Sequence, residues 1–251
     1  MIKKILLPIL LLVSVISFGQ PPAYVPTNGL VGYWPFNGNA NDESGNGNDG
    51  VPLNGPTLST DRFGNPNSAY DFDGADDWIE VNHDNTLNIN QEFSICAHIK
   101  ASSLPPISNS NIIEKGSTAN GWEYALRISN SGNITLHLGN PSGTGEYFRV
   151  TSTTVINLNQ DYFITATFSD GISGDLYING VFDNQSTDFF SNYQYGPGTS
   201  KLIFGARRGW AAHDDPTFLM EGSIDDIGIW NRALTQCEIS ELYHAQQLTP
   251  P

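Results

Sequence analysis

Residues 41–50 concentrate side chains that could bind a hard metal ion. They include three carboxylates, three amides and one hydroxyl, and no apolar side chain. Asp42, Ser44 and Asn46 match positions 1, 3 and 5 of a helix-flanked calcium loop, with a glycine at position 6. Position 12 lacks the bidentate glutamate, and no helices are predicted on either side. Two interpretations therefore stay open for this loop, a solvated turn and part of a calcium site.

Other catalytic and cofactor motifs are missing from the sequence. The five histidines are scattered without the spacing of zinc ligands. A Gly-x-Ser-x-Gly elbow, a phosphate loop and a dinucleotide fingerprint are all absent. Cys96 and Cys237 are the only cysteines, and they could form one disulfide or remain free thiols. The sequence thus disfavours zinc, nucleotide and nucleophilic chemistry.

The N-terminus has the order of a secretory signal peptide. A basic start is followed by a short apolar run and by Ser17 and Gly19 before a cut at Gln20. No later stretch approaches the roughly 20 apolar residues that a spanning helix needs. We therefore expect residues 1–19 to be removed, residues 20–28 to form a short leader, and the mature protein to be secreted, either extracellular or at the cell surface.

The charge balance excludes one large class of partner. The chain has 26 acidic and 11 basic residues, a formal net charge of −15. A strongly negative surface repels phosphate, so nucleic acid is not expected to bind, whereas a hard cation would suit this field. The length favours one large domain, which we place at residues 29–246, followed by a tail at 247–251. The oligomeric state is left open.

Short alternating segments separated by Gly, Asn, Asp and Pro clusters predict an antiparallel β protein. Residues 93–99 alternate strictly, which assigns Phe93 and Ile95 to the core face and His98 to the surface. Two hairpins are predicted: the turn Asn-Ser-Gly-Asn at residues 130–133 joins the strands 122–128 and 134–138, and the pair Asn179-Gly180 is a strong hairpin signal within residues 175–183. Further strands are predicted at residues 30–35, 69–72, 78–81, 122–128, 134–138, 147–150, 162–168, 202–206 and 222–230.

One helix is predicted near the C-terminus. Thr235 followed three residues later by Glu238 forms a capping box, and Leu234 can meet Ile239 as a hydrophobic staple. Apolar residues then recur with helical spacing along one face. We expect this face to pack against the β-sheets.

Three stretches carry a resemblance to a known family. Residues 29–50 begin Gly-Leu-Val-Gly-Tyr-Trp-Pro-Phe-Asn, residues 69–80 include Ala-Tyr-Asp-Phe-Asp-Gly, and residues 222–234 include Ser-Ile-Asp-Asp-Ile-Gly-Ile-Trp. Over residues 29 to about 246 the chain resembles the LamG-like jelly-roll domains of the concanavalin A-like superfamily, of secreted bacterial type. The resemblance implies an all-β fold, a two-sheet antiparallel jelly-roll sandwich with a short C-terminal α-helix.

The resemblance also implies a structural calcium ion that joins the acidic loop to the closing strand. On that comparison Asp42 and Asn46 come from the loop, and Asp225 comes from the closing strand. Asp77 is a further candidate, and backbone carbonyls near Gly47 would complete the shell. Calcium takes six to eight oxygen ligands, which no single loop here supplies.

The superfamily includes lectins, adhesion modules, hydrolases and lyases, so the resemblance implies the fold better than the function. Jelly-roll glycosidases carry a Glu-x-Asp-x-x-Glu run on one strand face, and this chain has none. Asp225 and Asp226 are adjacent, so we expect their side chains to point to opposite faces of a strand. No catalytic residue is predicted, and a polysaccharide hydrolase or lyase is kept as a minor alternative.

Recognition remains as the favoured function. The loop-like region 188–216 combines aromatic faces with polar groups, and we predict that Tyr193, Tyr195, Arg208 and Trp210 bind the ligand. Trp34, Trp78 and Trp230, within predicted strands, are assigned instead to the core or to the edge of a sheet. The sequence thus predicts a non-catalytic module that binds carbohydrate or extracellular protein. A structural or adhesive surface protein without glycan binding is the alternative.

Overall fold

Strands dominate the part of the chain that the structure describes. The computed structural model describes residues 19–88, 91–106, 108–117, 121–139, 146–189, 199–208 and 216–248. In chain order the strands are β1 (Leu30–Trp34), β2 (Gly50–Leu53), β3 (Thr57–Ser59), β4 (Ala69–Asp73), β5 (Trp78–Val81), β6 (Glu92–Ala101), β7 (Asn109–Ser117), β8 (Gly121–Ser129), β9 (Asn133–Gly139), β10 (Glu146–Val155), β11 (Tyr162–Ser169), β12 (Ser173–Ile178), β13 (Val181–Ser186), β14 (Leu202–Phe204), β15 (Arg207–Arg208), β16 (Pro216–Thr217) and β17 (Glu221–Trp230). A 3₁₀ turn covers Asn85–Leu87, and the α-helix α1 covers Gln236–Leu248.

The strands form two large antiparallel sheets. The eight-stranded sheet has the order β13-β12-β11-β6-β17-β4-β3, with β1 also paired to β17. The seven-stranded sheet has the order β10-β9-β8-β7-β14-β5-β2, and β15 pairs with β16 separately. This arrangement confirms the predicted two-sheet antiparallel sandwich with one short C-terminal helix.

Apolar side chains from both sheets meet in the main core. Trp34 of the eight-stranded sheet contacts Phe204 of the seven-stranded sheet edge to face, with ring centroids 4.9 Å apart. Both side chains are fully buried, as is Trp230, whereas Trp78 is half-buried. Burial of such rings is the main favourable contribution to folding, at roughly 25 cal/mol per Å² of apolar surface. The assignment to the core is confirmed for Trp34, in the main core, and for Trp230, in a second apolar cluster.

The predicted hairpins are present. Asn179 and Gly180, at φ 53° and 74°, form the turn between β12 and β13, and left-handed angles at both central positions favour this residue pair. A Cβ at Gly180 would lie 2.9 Å from the Cβ of Tyr243 in α1. The tight turn therefore also lets the helix pack closely against the hairpin.

The capping box of α1 is confirmed. Thr235 Oγ1 accepts from the Glu238 backbone N–H at 3.3 Å, and Glu238 Oε2 accepts from the Thr235 N–H at 2.8 Å. The helix covers the outer face of the eight-stranded sheet, where Ile239 and Leu242 join a second apolar cluster with Phe163. Among the described residues, no helix is long and apolar enough to cross a membrane.

On the face of the sheet that the helix covers, the predicted surface position of His98 is wrong. His98 lies on the outer face of β6, as the alternation predicts, but it is buried, and its ring centroid lies 4.7 Å from that of Phe163. The surface assignment was wrong because strand alternation alone does not show that further residues cover this face. Cys96 on the same face is a buried free thiol, and Cys237 in α1 is an exposed one.

Candidate functional site

The outer face of the seven-stranded sheet carries polar side chains at regular positions. In β8, Leu126 and Ile128 belong to the main core, so Arg127 between them points outward. The same alternation applies to the neighbouring strands β9 and β10. Together the three strands place on this face Arg127, Thr135, His137, Arg149 and Thr151.

These side chains line a cleft of about 320 Å³, which we call the polar cleft. Each of its nine described lining residues can donate or accept a hydrogen bond. None of these described residues has an apolar side chain or a carboxylate. The nine residues are Asn109, Arg127, Ser129, Ser131, Asn133, Thr135, His137, Arg149 and Thr151.

A buried carboxylate holds Arg127 at the edge of the polar cleft. Glu114 Oε2 accepts from Arg127 Nη2 at 3.1 Å, and Glu114 Oε1 lies 3.7 Å from Arg207 Nε. Asn111 Nδ2 also donates to Glu114. Burial raises the pKa of Glu114, and the charges of the two arginines oppose that rise. We call these four residues the Glu114 network.

His137 connects the Glu114 network to the polar cleft. Its Nδ1 lies 2.6 Å from Arg127 Nη1, and because a guanidinium can only donate, Nδ1 must accept and Nε2 must carry the proton. Burial and then the charges of Arg127, Arg149 and Arg207 lower the pKa of His137 to about 3. The imidazole is therefore neutral at physiological pH, and its Nε2 atom is buried. Arg149, the exposed register partner of His137, lies directly opposite it on β10.

A second cleft lies on the other sheet, beside α1, and has a volume of about 380 Å³. Its aromatic rings already contact protein groups. Phe163 contacts His98 and stacks on Tyr243 at 6.1 Å, and the Arg62 guanidinium lies 4.5 Å from the centre of the Phe63 ring. These rings belong to the packing of the helix-covered face more than to an open platform.

Arg62 pairs with both adjacent carboxylates of the closing strand. Its Nη1 lies 2.8 Å from Asp225 Oδ2, its Nη2 lies 2.9 Å from Asp226 Oδ2, and Tyr33 Oη donates to Asp226 Oδ1 at 3.0 Å. The prediction that the two carboxylates point to opposite faces is wrong. A bulge between Asp225 and Gly228, with Asp226 at φ 47°, interrupts the alternation. Burial raises the pKa of both carboxyl groups. We call these four residues the Arg62 network: Tyr33, Arg62, Asp225 and Asp226.

The acidic loop, residues 41–50, lies next to the Arg62 network. Both carboxylate oxygens of Asp42 in this loop accept hydrogen bonds. Asp42 Oδ1 accepts from the backbone N–H groups of Tyr33 and Ser44 at 2.9 and 2.8 Å. Asp42 Oδ2 accepts from Ser44 Oγ at 2.8 Å and from the Asn48 N–H at 3.0 Å. Asn46 donates to the Leu30 carbonyl at 3.1 Å. The loop is therefore held by hydrogen bonds within itself and to β1.

The four predicted metal ligands are not gathered in one carboxylate cluster among the described residues. Asp77 instead lies with Asp73 and Asp76, with ligand oxygens within 4.8 Å of one another. Asp225 Oδ2 pairs with the Arg62 guanidinium, so a calcium ion that used Asp225 would compete with an existing cation for the charge of this carboxylate. This arrangement of donors does not fit a calcium ion without rearrangement. Calcium at Asp42, Asn46, Asp77 and Asp225 is therefore untested, and it is implied by the resemblance alone.

Most of the predicted ligand residues lie outside the part of the chain that the structure describes. Tyr193, Tyr195 and Trp210 lie outside the described residues, and for Arg208 only the backbone in β15 is described. The sequence reasoning missed the polar cleft itself. A signal for it exists, because three successive strands carry polar or basic residues at alternate positions, in the patterns Arg-x-Ser, Thr-x-His and Arg-x-Thr.

Solved structures with the same fold include several binding domains. The binding domain of botulinum neurotoxin DC, in complex with SialylT, superposes with a TM-score of 0.66 at 15% identity, covering 89% of this chain and 53% of that one. The receptor binding domain of botulinum neurotoxin D gives 0.65 at 19% identity, covering 88% and 54%. The chain therefore spans about half the length of these toxin domains.

A third structure is matched over nearly its whole length. Domain 4 of AbnA, a GH43 extracellular arabinanase from Geobacillus stearothermophilus in complex with arabinotriose, gives a TM-score of 0.63 at 19% identity, covering 85% of this chain and 98% of that one. No curated protein matches the chain in sequence.

The sequence profile of Laminin_G_3, described as concanavalin A-like lectin/glucanases superfamily, matches residues 73–240, which is more than half of the chain. This match agrees with the two-sheet sandwich and with the similar solved structures. The chain belongs to the concanavalin A-like lectin/glucanase superfamily.

Proposed function

We propose that this chain is a secreted, non-catalytic carbohydrate-binding module whose ligand site is the polar cleft. The observation that carries the proposal is the composition of the cleft. Four hydroxyl groups, two amides, two guanidinium groups and one imidazole line it. A saccharide presents many hydroxyl groups that both donate and accept, so a wall of directional polar partners suits it.

The polar side chains are held in place by the strands and by each other. Thr135 Oγ1 and Thr151 Oγ1 lie 3.3 Å apart, and Ser131 Oγ donates to Asn133 Oδ1 at 2.9 Å. Asn133 Nδ2 donates to the Ser152 carbonyl at 3.0 Å. Sites built on strands with locked side chains lose less freedom when a ligand binds. The volume is at the lower end of the roughly 300–1,000 Å³ typical of small-ligand sites.

The comparisons and the leader support the proposal. The toxin structures are binding domains, and two of the three structures described above contain SialylT or arabinotriose. Their identity to this chain is low, so they support a shared fold and make a binding role plausible by analogy. The signal-like order of residues 1–19 supports export.

A variant that fills the cleft tests the proposal. Thr151→Trp places a large ring at a half-buried position of the polar cleft, and we expect it to abolish glycan binding whatever the charge of the glycan. Val181→Trp is the matched control, because Val181 is 67% exposed on the other sheet. Both variants are measured on a glycan array, and their melting temperatures are compared with that of the wild type. Equal binding by the wild type and Thr151→Trp would contradict the proposal.

The same array separates the alternatives. An adhesive protein without a glycan site would bind no glycan yet would bind extracellular matrix or cells. A hydrolase or lyase would release reducing ends or unsaturated sugars when it is incubated with polysaccharides. We expect binding without such release.

A further inference from the structure

We infer that Asp183, which belongs to the eight-stranded sheet, is a positioning residue for the polar cleft on the other sheet. It holds the strand β10 in the conformation that ligand binding needs. The inference rests on the proposed function, since it concerns the site proposed there. Asp183 is not among the described residues that line the polar cleft, and it acts through β10, which contributes Arg149 and Thr151 to that lining.

The strand β10 leaves its regular pairing with β9 beside the polar cleft. Thr151 is still opposite Thr135, but the register then shifts, and Val155 lies opposite Asn133. Four steps along β10 (155 − 151) thus match two steps along β9 (135 − 133), so residues 152–154 form a bulge. Backbone N–H groups in a bulge lose their regular partners on the neighbouring strand and need other acceptors.

The strand β13 has a bulge of its own, which places Asp183. Leu176 of β12 lies opposite Asn184, and Tyr177 lies opposite Phe182, so Asp183 is the extra residue between the two pairs. A residue in a bulge is released from the strict alternation of its strand, which lets its side chain take a different direction. The Asp183 side chain is directed at the bulge of β10, on the opposite sheet.

The Asp183 carboxylate accepts hydrogen bonds from the bulge of β10. Its Oδ2 accepts from the Thr153 backbone N–H at 2.6 Å, and its Oδ1 accepts from the Thr154 backbone N–H at 3.0 Å. The Thr153 hydroxyl donates a further bond to Oδ2 at 3.2 Å. The adjacent Asn184 donates through Nδ2 to the Thr151 carbonyl at 2.8 Å. Two neighbouring residues of β13 thus hold the backbone of β10 at three positions, one of which, Thr151, lines the polar cleft.

The charge of Asp183 strengthens this contact. Partial burial raises the pKa of Asp183, but hydrogen bonds from Thr154 and Thr153 lower it, and the pKa lies below its ordinary value. The group is therefore ionised at physiological pH, and hydrogen bonds to an ionised acceptor are roughly twice as strong as those between neutral groups. Asp183 is half-buried and Thr153 is exposed, so water can reach the N–H groups if the carboxylate is removed. Its loss should therefore loosen β10 locally without unfolding the sandwich.

A looser β10 should weaken ligand binding. Thr151 Oγ1 lies 3.3 Å from Thr135 Oγ1 in the lining of the polar cleft, and Arg149 lies on the same strand two residues before Thr151. These side chains keep their relative positions only while β10 keeps its conformation. A wall that must be ordered when the ligand binds costs affinity, because conformational freedom is then lost in the complex.

Hydrogen exchange on the full chain tests the contact itself. Asp183→Ala should speed the exchange of the Thr153 and Thr154 amides by about tenfold or more, with smaller increases along β10. Asp183→Asn keeps one oxygen as an acceptor and should give an intermediate increase. Gln185→Ala is the matched control, since Gln185 lies two residues further along β13 and donates to Asp175 of its own sheet. Unchanged exchange in Asp183→Ala, or an equal increase in every strand, would overturn the positioning role, the latter because it would show a loss of overall stability only.

Isothermal titration measures the consequence for binding. The probe is the soluble form of the array oligosaccharide that gives the strongest wild-type signal, used at a temperature at which the melting curves show every variant to be folded. We expect Asp183→Ala to bind it about tenfold more weakly than the wild type. Asp183→Asn should lie between the two, and Gln185→Ala should bind like the wild type.

The outcomes separate this inference from the proposed function. Wild-type binding that Thr151→Trp abolishes, but that Asp183→Ala leaves unchanged, would overturn the positioning role and leave the proposed function intact. Equal weakening by Asp183→Ala and Gln185→Ala would also overturn it, since any change in β13 would then have the same effect. Absence of binding to every glycan would overturn the proposed function and the positioning role with it, whatever the exchange rates.

Discussion

Two buried charge networks lie on opposite outer faces of this sandwich, and their compositions are reversed. In the Arg62 network two carboxylates share one guanidinium, whereas in the Glu114 network two guanidinium groups share one carboxylate. Burial raises the pKa of the carboxyl groups in both. The described groups of the two networks therefore combine carboxylates and guanidinium groups in opposite proportions.

The difference suggests different roles for the two networks. Arg62 joins the loop after β3 to the closing strand, and Tyr33 joins the same carboxylates to the first strand, so the Arg62 network links distant parts of the chain. The Glu114 network instead holds Arg127 at the wall of an open cleft. We therefore assign the Arg62 network mainly to stability and the Glu114 network mainly to binding.

The largest effect is expected from Arg62→Met. This change leaves Asp225 and Asp226 buried and adjacent without their cation, and removal of one partner from a buried pair typically costs about 3–5 kcal/mol. Chemical denaturation measures the loss. Lys100→Met is the control, because the Lys100–Asp161 pair at 3.5 Å is exposed and should contribute about 0–1 kcal/mol. Adding Asp226→Asn to Arg62→Met should recover part of the stability, since it removes one of the two buried charges.

Equal stability of Arg62→Met and Lys100→Met would contradict the structural role of the Arg62 network. It would mean that the buried negative charge of the two carboxylates is removed in another way, such as by protonation. The stability of Arg62→Met should then depend on pH through the titration of Asp226.

A smaller loss is expected from Arg127→Met. Glu114 would keep Arg207 within 3.7 Å and the hydrogen bond from Asn111, so we expect about 1–3 kcal/mol, the usual cost of losing one partner of a buried polar group. Arg149→Met, at an exposed position, should change the free energy of unfolding by less than about 0.5 kcal/mol. A loss from Arg127→Met as large as that from Arg62→Met would remove the distinction between the two networks.

The sequence predicts most of the fold because most strands alternate and both hairpins carry strong turn residues. β5 is predicted with its observed ends, and β6 is predicted within three residues at either end. The short strands β2 and β3 and the pair β15 and β16 are missed. Their few residues show no alternation, and they are defined by pairing with distant strands, which a local pattern does not contain.

The sequence predicts the site less well than the fold. Asp225 and Asp226 were assigned to opposite faces because a regular strand alternates, and a bulge with a left-handed residue overrides that rule. The polar cleft was missed because Arg127, His137 and Arg149 are separated by whole strands. Each looks like an ordinary surface residue until the register of β8, β9 and β10 brings them side by side. The ligand site was instead predicted in the region 188–216, because that region combines aromatic and polar residues.

The smallest effect concerns calcium. Because Arg62 already supplies a cation to Asp225 and Asp226, and because Asp42 already accepts four hydrogen bonds, we expect EDTA and added calcium to change the melting temperature little. An ion bound only by the folded chain would instead stabilise it by about 2.7 kcal/mol at a hundredfold excess over its Kd. A fall in EDTA that calcium reverses, and that Asp42→Ala abolishes, would support the calcium site implied by the resemblance. The carboxylates of this face would then be neutralised by a calcium ion as well as by Arg62. The stability lost in Arg62→Met would in that case depend on whether calcium is present.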